Sequence, residues 1–239
     1  MRNVLKPSRY VKEALNEEPG REHDEFPIDF FHLFWVFIIC SFGGLIIETL
    51  VSYPIDGMWK NRAGLIWGPF SPIYGVGGVL FTLVLNPLRN QRLTVLFAVS
   101  AIAGGLFEYV AGWFWETAFG IVAWSYVDQP FNIGGHTCLG IALVWGFAGF
   151  VWLKLFLPIV YDIIDHIPAS IQQGLCMGLA IFMVVDVAVT LIAFTCWFDR
   201  QAGIPIESPT QVFFAEHYDN EYMQEHFQTM SMYPSLASR

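Results

Sequence analysis

Two carboxylates of this chain stand where carboxylates are costly. Glu48 and Glu108 each lie inside a long apolar run and each follows a Gly-Gly-Leu step, Gly43-Gly44-Leu45-Ile46-Ile47-Glu48 and Gly104-Gly105-Leu106-Phe107-Glu108. An acid at membrane depth costs ~2.5–3.5 kcal/mol on insertion scales, so it faces a protein interior and takes a partner. Such a pair can form ion pairs, act as general acid or base, or hold the head group of an apolar ligand.

Candidate partners come from the segments that follow each acid. After Glu48 come Asn61, Arg62 and the hydroxyl of Tyr74; after Glu108 come Asp128, Asn132 and His136. An Arg or a protonated His beside a carboxylate offsets the desolvation of both and can also bind an anionic or zwitterionic head group. The plainer reading is a structural ion pair that orients helices. Glu116, between Trp115 and Thr117, reads as a solvated helix end at the water interface.

Two further acidic positions stand apart. Asp186, within Met183-Val184-Val185-Asp186-Val187-Ala188, has no partner nearby in sequence and must face the bundle, be protonated or pair with a distant base. Asp162, Asp165 and His166 have the side chains of a metal site but also the pattern of a solvated helix face, and no metal or cofactor is assigned to them.

The elements that must position these groups are membrane helices. With 55% hydrophobic, 17% aromatic and 14% charged residues and a mean hydropathy of +0.49, the 239-residue chain is far more apolar than a soluble domain. Apolar runs of about 20 residues, enough to cross ~30 Å of hydrocarbon, recur at 30–51, 65–88, 93–115, 139–160 and 174–197. The expected fold is an all-α polytopic bundle of about five transmembrane helices in a cell membrane. A polar N-terminal arm (1–29) and an acidic C-terminal tail (198–239) flank the transmembrane domain (30–197). The charged N-terminal stretch lacks the apolar core of a cleavable signal. Phe214, Tyr218 and Tyr222 in the tail fall on one face of a short helix, which would lie on the membrane or bind a partner; disorder is the alternative.

Placing the N-terminus in the cytoplasm puts Arg21, Arg89, Arg92 and Lys154 inside against Lys60, Arg62 and Arg200 outside, a small positive-inside bias. The net charge of −9 comes largely from the tails, and no basic patch indicates nucleic acid. Cys40, Cys138, Cys176 and Cys196 lie in or beside apolar runs without metal spacing.

The second apolar run is unusual. The stretch GLIWGPFSPIYGVGG, from Gly64 to Gly78, carries two prolines and five glycines, which predicts a broken or re-entrant segment rather than a plain helix. Broken backbone at membrane depth persists only where protein or a water-filled cavity satisfies it, so Gly68, Pro69, Pro72, Tyr74 and Gly75 are candidate cavity-lining residues. Close packing of a helix pair explains the glycines equally well. The aromatic loop from Ala123 to His136 can cap such a cavity, with Trp124 and Tyr126 at the interface.

The two halves echo each other: Gly-Gly-Leu and an acid, then Asn followed by a base (Asn61-Arg62; Asn132 with His136), then Trp-Gly (Trp67-Gly68; Trp145-Gly146). The spacings differ. A repeat of this kind implies two parallel-related helical hairpins plus one extra helix, with Glu48 and Glu108 facing each other and Arg62 and His136 at the mouth.

At these residues the chain resembles a known family. The runs NRAGLIWGPFSPIYG and WSYVDQPFNIGGHTCLG, and Glu108-Tyr109 between them, are similar to the bacterial membrane family described as putative ABC-transporter type IV, or CmpB-like, and to the animal transmembrane protein 229 group. The resemblance spans roughly Phe30 to Val160 and adds Tyr109 to the candidate ligand contacts. Where the family has Asn-x-Asn-Gly-Arg, this chain reads Asn132-Ile133-Gly134-Gly135-His136, which replaces a permanent cation by one that titrates near ~6.5. The family name implies transport. The chain lacks a Gly-x-x-x-x-Gly-Lys-Ser/Thr loop, so ATP hydrolysis would need a separate ATPase subunit.

Three functions fit the sequence. The first is a transporter or permease-like component that holds a small or lipid-like ligand among membrane lipids. The second is a membrane-embedded enzyme acting on a lipid, with a glutamate or His136 as acid or base. The third is a non-catalytic scaffold or sensor.

Overall fold

The computed structural model describes residues 25–238, so the N-terminal arm lies almost wholly outside the described residues. Helix α1 (Phe30–Asp56) starts where the Asp29 side chain accepts the His32 backbone N–H at 3.1 Å. It ends at Gly57, whose φ of 73° lets its N–H turn back to the Tyr53 carbonyl. Helix α2 (Pro72–Leu85) has a proline in its first turn, where no backbone donor is lost. Helix α3 (Leu93–Phe119) stops at Gly120, again left-handed. Helix α4 (Leu139–Val151) passes through a π-helical turn, Trp152–Phe156, into α5 (Leu157–Asp165). Pro158 cannot donate to the Lys154 carbonyl, and the wider turn absorbs that break. Helix α6 (Ala169–Gln201) is the longest.

Among the described residues four helical stretches are long and apolar enough to cross a membrane, at Phe30–Pro54, Leu93–Phe119, Leu139–Asp165 and Ser170–Gln201. The second of the five apolar runs, 65–88, holds only a shorter helix, Pro72–Leu88. The bundle is all-α and polytopic as expected, and its second segment is half loop and half helix. The segment 161–165 forms the last turn and a half of α5, and His166 closes it by bonding the Asp162 carbonyl at 2.7 Å.

Helices α1 and α2 form one antiparallel hairpin, α3 and α4 another. Both close on small residues, as membrane helices do when packing rather than water expulsion holds them. A Cβ on Gly78 would fall 2.6 Å from Cys40 Sγ, and one on Gly146 would fall 2.7 Å from the Phe97 ring. Gly149 meets Ser100 in the same way that Gly78 meets Cys40. The hairpins therefore share a register, and it differs from the one read from sequence. Gly44 matches Gly104, and Tyr74-Gly75 rather than Trp67-Gly68 matches Trp145-Gly146.

The loop between α1 and α2 is not helical and runs against the middle of α6. Asp186 and Thr190, one turn apart, accept the backbone N–H groups of Trp67 and Ile66 at 3.1 and 3.0 Å. Asp186 thus faces the bundle, and its partner is backbone rather than a base.

The C-terminal tail is folded. Helices α7 (Pro209–His217) and α8 (Asn220–His226) cover the same loop. Gln228 Oε1 accepts the Asn61 N–H at 3.0 Å, His226 Nε2 bonds the Leu65 carbonyl at 2.8 Å, and the Trp67 indole donates to Tyr218 at 3.2 Å. Two-residue strands, β1 (Ile121–Val122) and β4 (Ser231–Met232), pair antiparallel and tie the tail to the end of α3. A second short pair, β2 (Asn132–Ile133) and β3 (Thr137–Cys138), shapes the loop before α4.

Candidate functional site

Glu48 and Glu108 lie one helical turn beyond Gly44 and Gly104, on the same face as those glycines. The missing side chain at each glycine admits an aromatic ring from the partner helix. The Tyr74 ring lies against Gly44 and its hydroxyl donates to Glu48; the Trp145 ring lies against Gly104 and its indole N–H donates to Glu108 at 3.3 Å. Each hairpin thus builds the same unit: a glycine, an acid one turn on, and an aromatic donor from across the interface.

The two acids differ in their remaining partners. Arg62 Nη1 lies 2.9 Å from Glu48 Oε1, with the two side chains 20% and 32% exposed. Glu108, only 8% exposed, is held by neutral donors alone among the described residues. Oε1 accepts from the Tyr126 hydroxyl at 2.8 Å, and Oε2 from Thr137 and Trp145, both at 3.3 Å. Burial, reinforced by the Glu108 carboxylate, pushes the Tyr126 phenol well above its ordinary range, so it remains a donor.

Glu48, Arg62, Tyr74 and Glu108 all line one partly open cavity of about 1090 Å³. Its walls come from both hairpins, from α5 and α6, from the 62–65 loop and from Thr229 and Met230 of the tail, and they are mostly apolar. Trp124 and Tyr126 line it from the loop after α3.

The other sequence candidates lie elsewhere. Asn61 is spent on the loop itself, its Oδ1 accepting the Ala63 N–H at 2.9 Å. Asn132 Nδ2 donates to the Val127 and Gln129 carbonyls at 3.0 and 2.9 Å, and Asp128 is exposed. His136 Nδ1 lies 3.8 Å from Glu116, and its ring meets the edge of Tyr109 at 5.5 Å between centroids. None of these residues lies on the cavity wall. Glu116, in the last turn of α3 and 34% exposed, is thus a helix-end residue with a histidine as neighbour. Among the described residues no group of three His, Cys, Asp or Glu side chains is placed to hold a metal.

Thr137 and Trp145 touch Glu108 without having been singled out as partners of it. The signal for Trp145 was present: it precedes a glycine as Tyr74 does, and the true register pairs those two dipeptides. Nothing local marks Thr137, which reaches Glu108 only because the β2–β3 turn folds back over α3.

A family model described as putative ABC-transporter type IV matches residues 35–191. The match takes in both hairpins and runs past Val160, where the sequence resemblance stops, into α6 as far as Leu191. No curated protein and no solved structure matches the chain.

Proposed function

The chain belongs to the putative ABC-transporter type IV family, and from that premise we propose that its cavity binds a lipid-like solute which the protein holds and moves within the membrane. The family and the four apolar helices make it a multi-pass, transporter-like membrane protein. The observation that carries the finer reading is that the two intramembrane glutamates, one from each hairpin, open into a single apolar-walled cavity of about 1090 Å³. That volume is at the upper end of small-molecule sites and suits an amphiphile: a few convergent polar groups fix a head, and apolar walls take a chain. Glu48, Arg62, Tyr74 and Glu108 are the proposed head-group contacts. We place the protein in the cell membrane with its N-terminus cytoplasmic, and assign any ATP hydrolysis to a separate subunit.

Native mass spectrometry of the protein taken from its own membrane tests this. A lipid-like molecule bound at a fixed stoichiometry in the wild type, and absent from monodisperse protein carrying Glu48→Gln and Glu108→Gln together, is the expected result. Equal occupancy in both sinks the reading. A chemically altered lipid released on incubation would instead favour the membrane-enzyme reading, and an ATPase recovered in the same complex would identify the energising subunit.

A further inference from the structure

The charges on the cavity wall do not balance. Among the described residues its only Asp, Glu, Lys, Arg or His side chains are Glu48, Arg62 and Glu108. Glu48 and Arg62 compensate each other at 2.9 Å. Glu108 is surrounded by neutral donors, which orient a carboxylate but supply no positive charge.

Three donors already occupy most of the acceptor sites of Glu108, since a carboxylate offers about four. A metal ion, which needs several oxygen ligands, finds too few here. A soft organic cation needs no lone pair; it needs a negative potential and aromatic faces. Four of the chain's nine tryptophans, Trp115, Trp124, Trp145 and Trp152, line the cavity, with Tyr126 beside them. Trp115 is seven residues beyond Glu108 and so lies on the same face of α3, two turns on.

We infer that the cavity takes amphiphiles bearing one organic ammonium head group, seated beside Glu108 among the tryptophans with the chain along the apolar walls. The inference rests on the lipid-like solute reading and narrows it to a head-group charge. The two hairpins then have different tasks. In the first, Arg62 neutralises the acid. In the second, the ligand does.

The test is scintillation-proximity binding to the full chain in dodecyl maltoside micelles, whose sugar head groups carry no competing ammonium. The probes are tritiated dodecyltrimethylammonium, dodecanol and dodecanoate, each corrected for empty micelles. Expected is saturable binding of the ammonium probe at one per protein, about tenfold tighter than the alcohol of equal chain length. Glu108→Gln should bring the two within about twofold. Trp115→Leu, which keeps Glu108 and removes one ring, should weaken the ammonium probe by about threefold more than it weakens the alcohol; an equal effect on both probes overturns the inference if Glu108→Gln does not fold. Equal affinities for all three probes in the wild type would overturn the head-group inference and leave the cavity reading standing. So would a preference for the ammonium probe that survives Glu108→Gln. Absence of saturable binding by any probe would remove both.

Discussion

Tyr74 and Trp145 occupy equivalent places in the two hairpins, each ring against a glycine of the partner helix and each polar tip on the glutamate one turn beyond it. The relationship explains why glycine and acid recur together. The glycine admits a ring close enough for its hydroxyl or indole N–H to reach the carboxylate and supply one of its donors in the apolar interior. A shared scaffold with unlike donors also explains how the two acids acquire different surroundings. A phenol leaves room for Arg62 beside Glu48, whereas the indole shares Glu108 with Tyr126 and Thr137.

The close approach predicts a sharp contrast between neighbouring glycines. A Cβ on Gly44 or Gly104 would overlap the Tyr74 or Trp145 ring near its own Cβ, where the side chain cannot swing away, whereas a Cβ on Gly43 meets nothing within 4 Å. Gly44→Ala and Gly104→Ala should each cost about 1–3 kcal/mol. Gly43→Ala should be neutral or slightly stabilising, since alanine is the better helix former. Thermal midpoints from fluorescence-detected size exclusion in detergent measure this. Equal midpoints for Gly43→Ala and Gly44→Ala would refute the ring-on-glycine packing.

The Arg62–Glu48 pair should behave as a coupled unit. Removing Arg62 leaves Glu48 with Tyr74 alone among the partners described for it, and removing Glu48 takes from Arg62 the carboxylate 2.9 Å from its guanidinium in a largely apolar wall. Arg62→Gln and Glu48→Gln should each destabilise by about 1–3 kcal/mol, less than for a fully buried pair because both side chains are partly exposed. The double variant should cost less than the two singles together, by about 1 kcal/mol. Additive losses in the double-mutant cycle would mean that the pair contributes nothing as a pair.

Much of this was legible in the sequence for a physical reason. Glu48 and Glu108 advertise themselves by their cost, and the prolines and glycines from Gly64 to Gly78 forecast a non-helical segment because neither residue type favours an uninterrupted helix. Arg62 and Tyr74 followed as nearby groups able to pair with an acid. What stayed hidden depends on register and on distant chain. Asn132 and His136 look like a polar cluster, but the turn that holds them consumes the Asn132 amide and aims His136 at Glu116. Asp186 was conspicuous, yet its partner, a backbone N–H well over a hundred residues earlier, has no side-chain signature. The tail's aromatic ladder, Phe214 to Tyr218 to Tyr222, was visible as a spacing, while the loop it covers was not.

The start of α1 carries a pH dependence. Burial opposes ionisation of Asp29, but hydrogen bonds from the His32 backbone and ring, with the attraction of that ring, outweigh it and hold the carboxyl below its usual range. A carboxylate with a depressed folded-state value stabilises above its unfolded value, and that stabilisation is lost as pH falls through the folded value. Wild type should therefore exceed Asp29→Asn in thermal midpoint at pH 6 and lose the advantage as the solution is acidified past the usual carboxylate range near ~3.9. An offset that stays constant with pH would show that the cap acts without its charge.

The last prediction concerns what holds the loop over the cavity. Residues 61–67 have few backbone bonds of their own and take partners from two places: Asp186 and Thr190 on α6, and Tyr218, His226 and Gln228 in the tail. Asp186→Leu removes the acceptor of the part-buried Trp67 N–H, a loss of about 1 kcal/mol; Asp186→Asn keeps an oxygen in place and should cost less. If the loop opens locally rather than with the whole bundle, amide exchange at Ile66 and Trp67 should quicken about tenfold or more in Asp186→Leu. The Asn132–Cys138 turn, which shares no contact with Asp186, should exchange as before. Truncation after Arg200 should have the complementary effect, releasing Asn61 and Leu65 while Ile66 and Trp67 remain tied to α6. Hydrogen exchange read by mass spectrometry separates the two anchors, because each variant frees a different end of the same short loop. Uniform acceleration throughout the helices in either variant would mean that the loop has no independent stability and that its two sets of bonds serve the bundle as a whole.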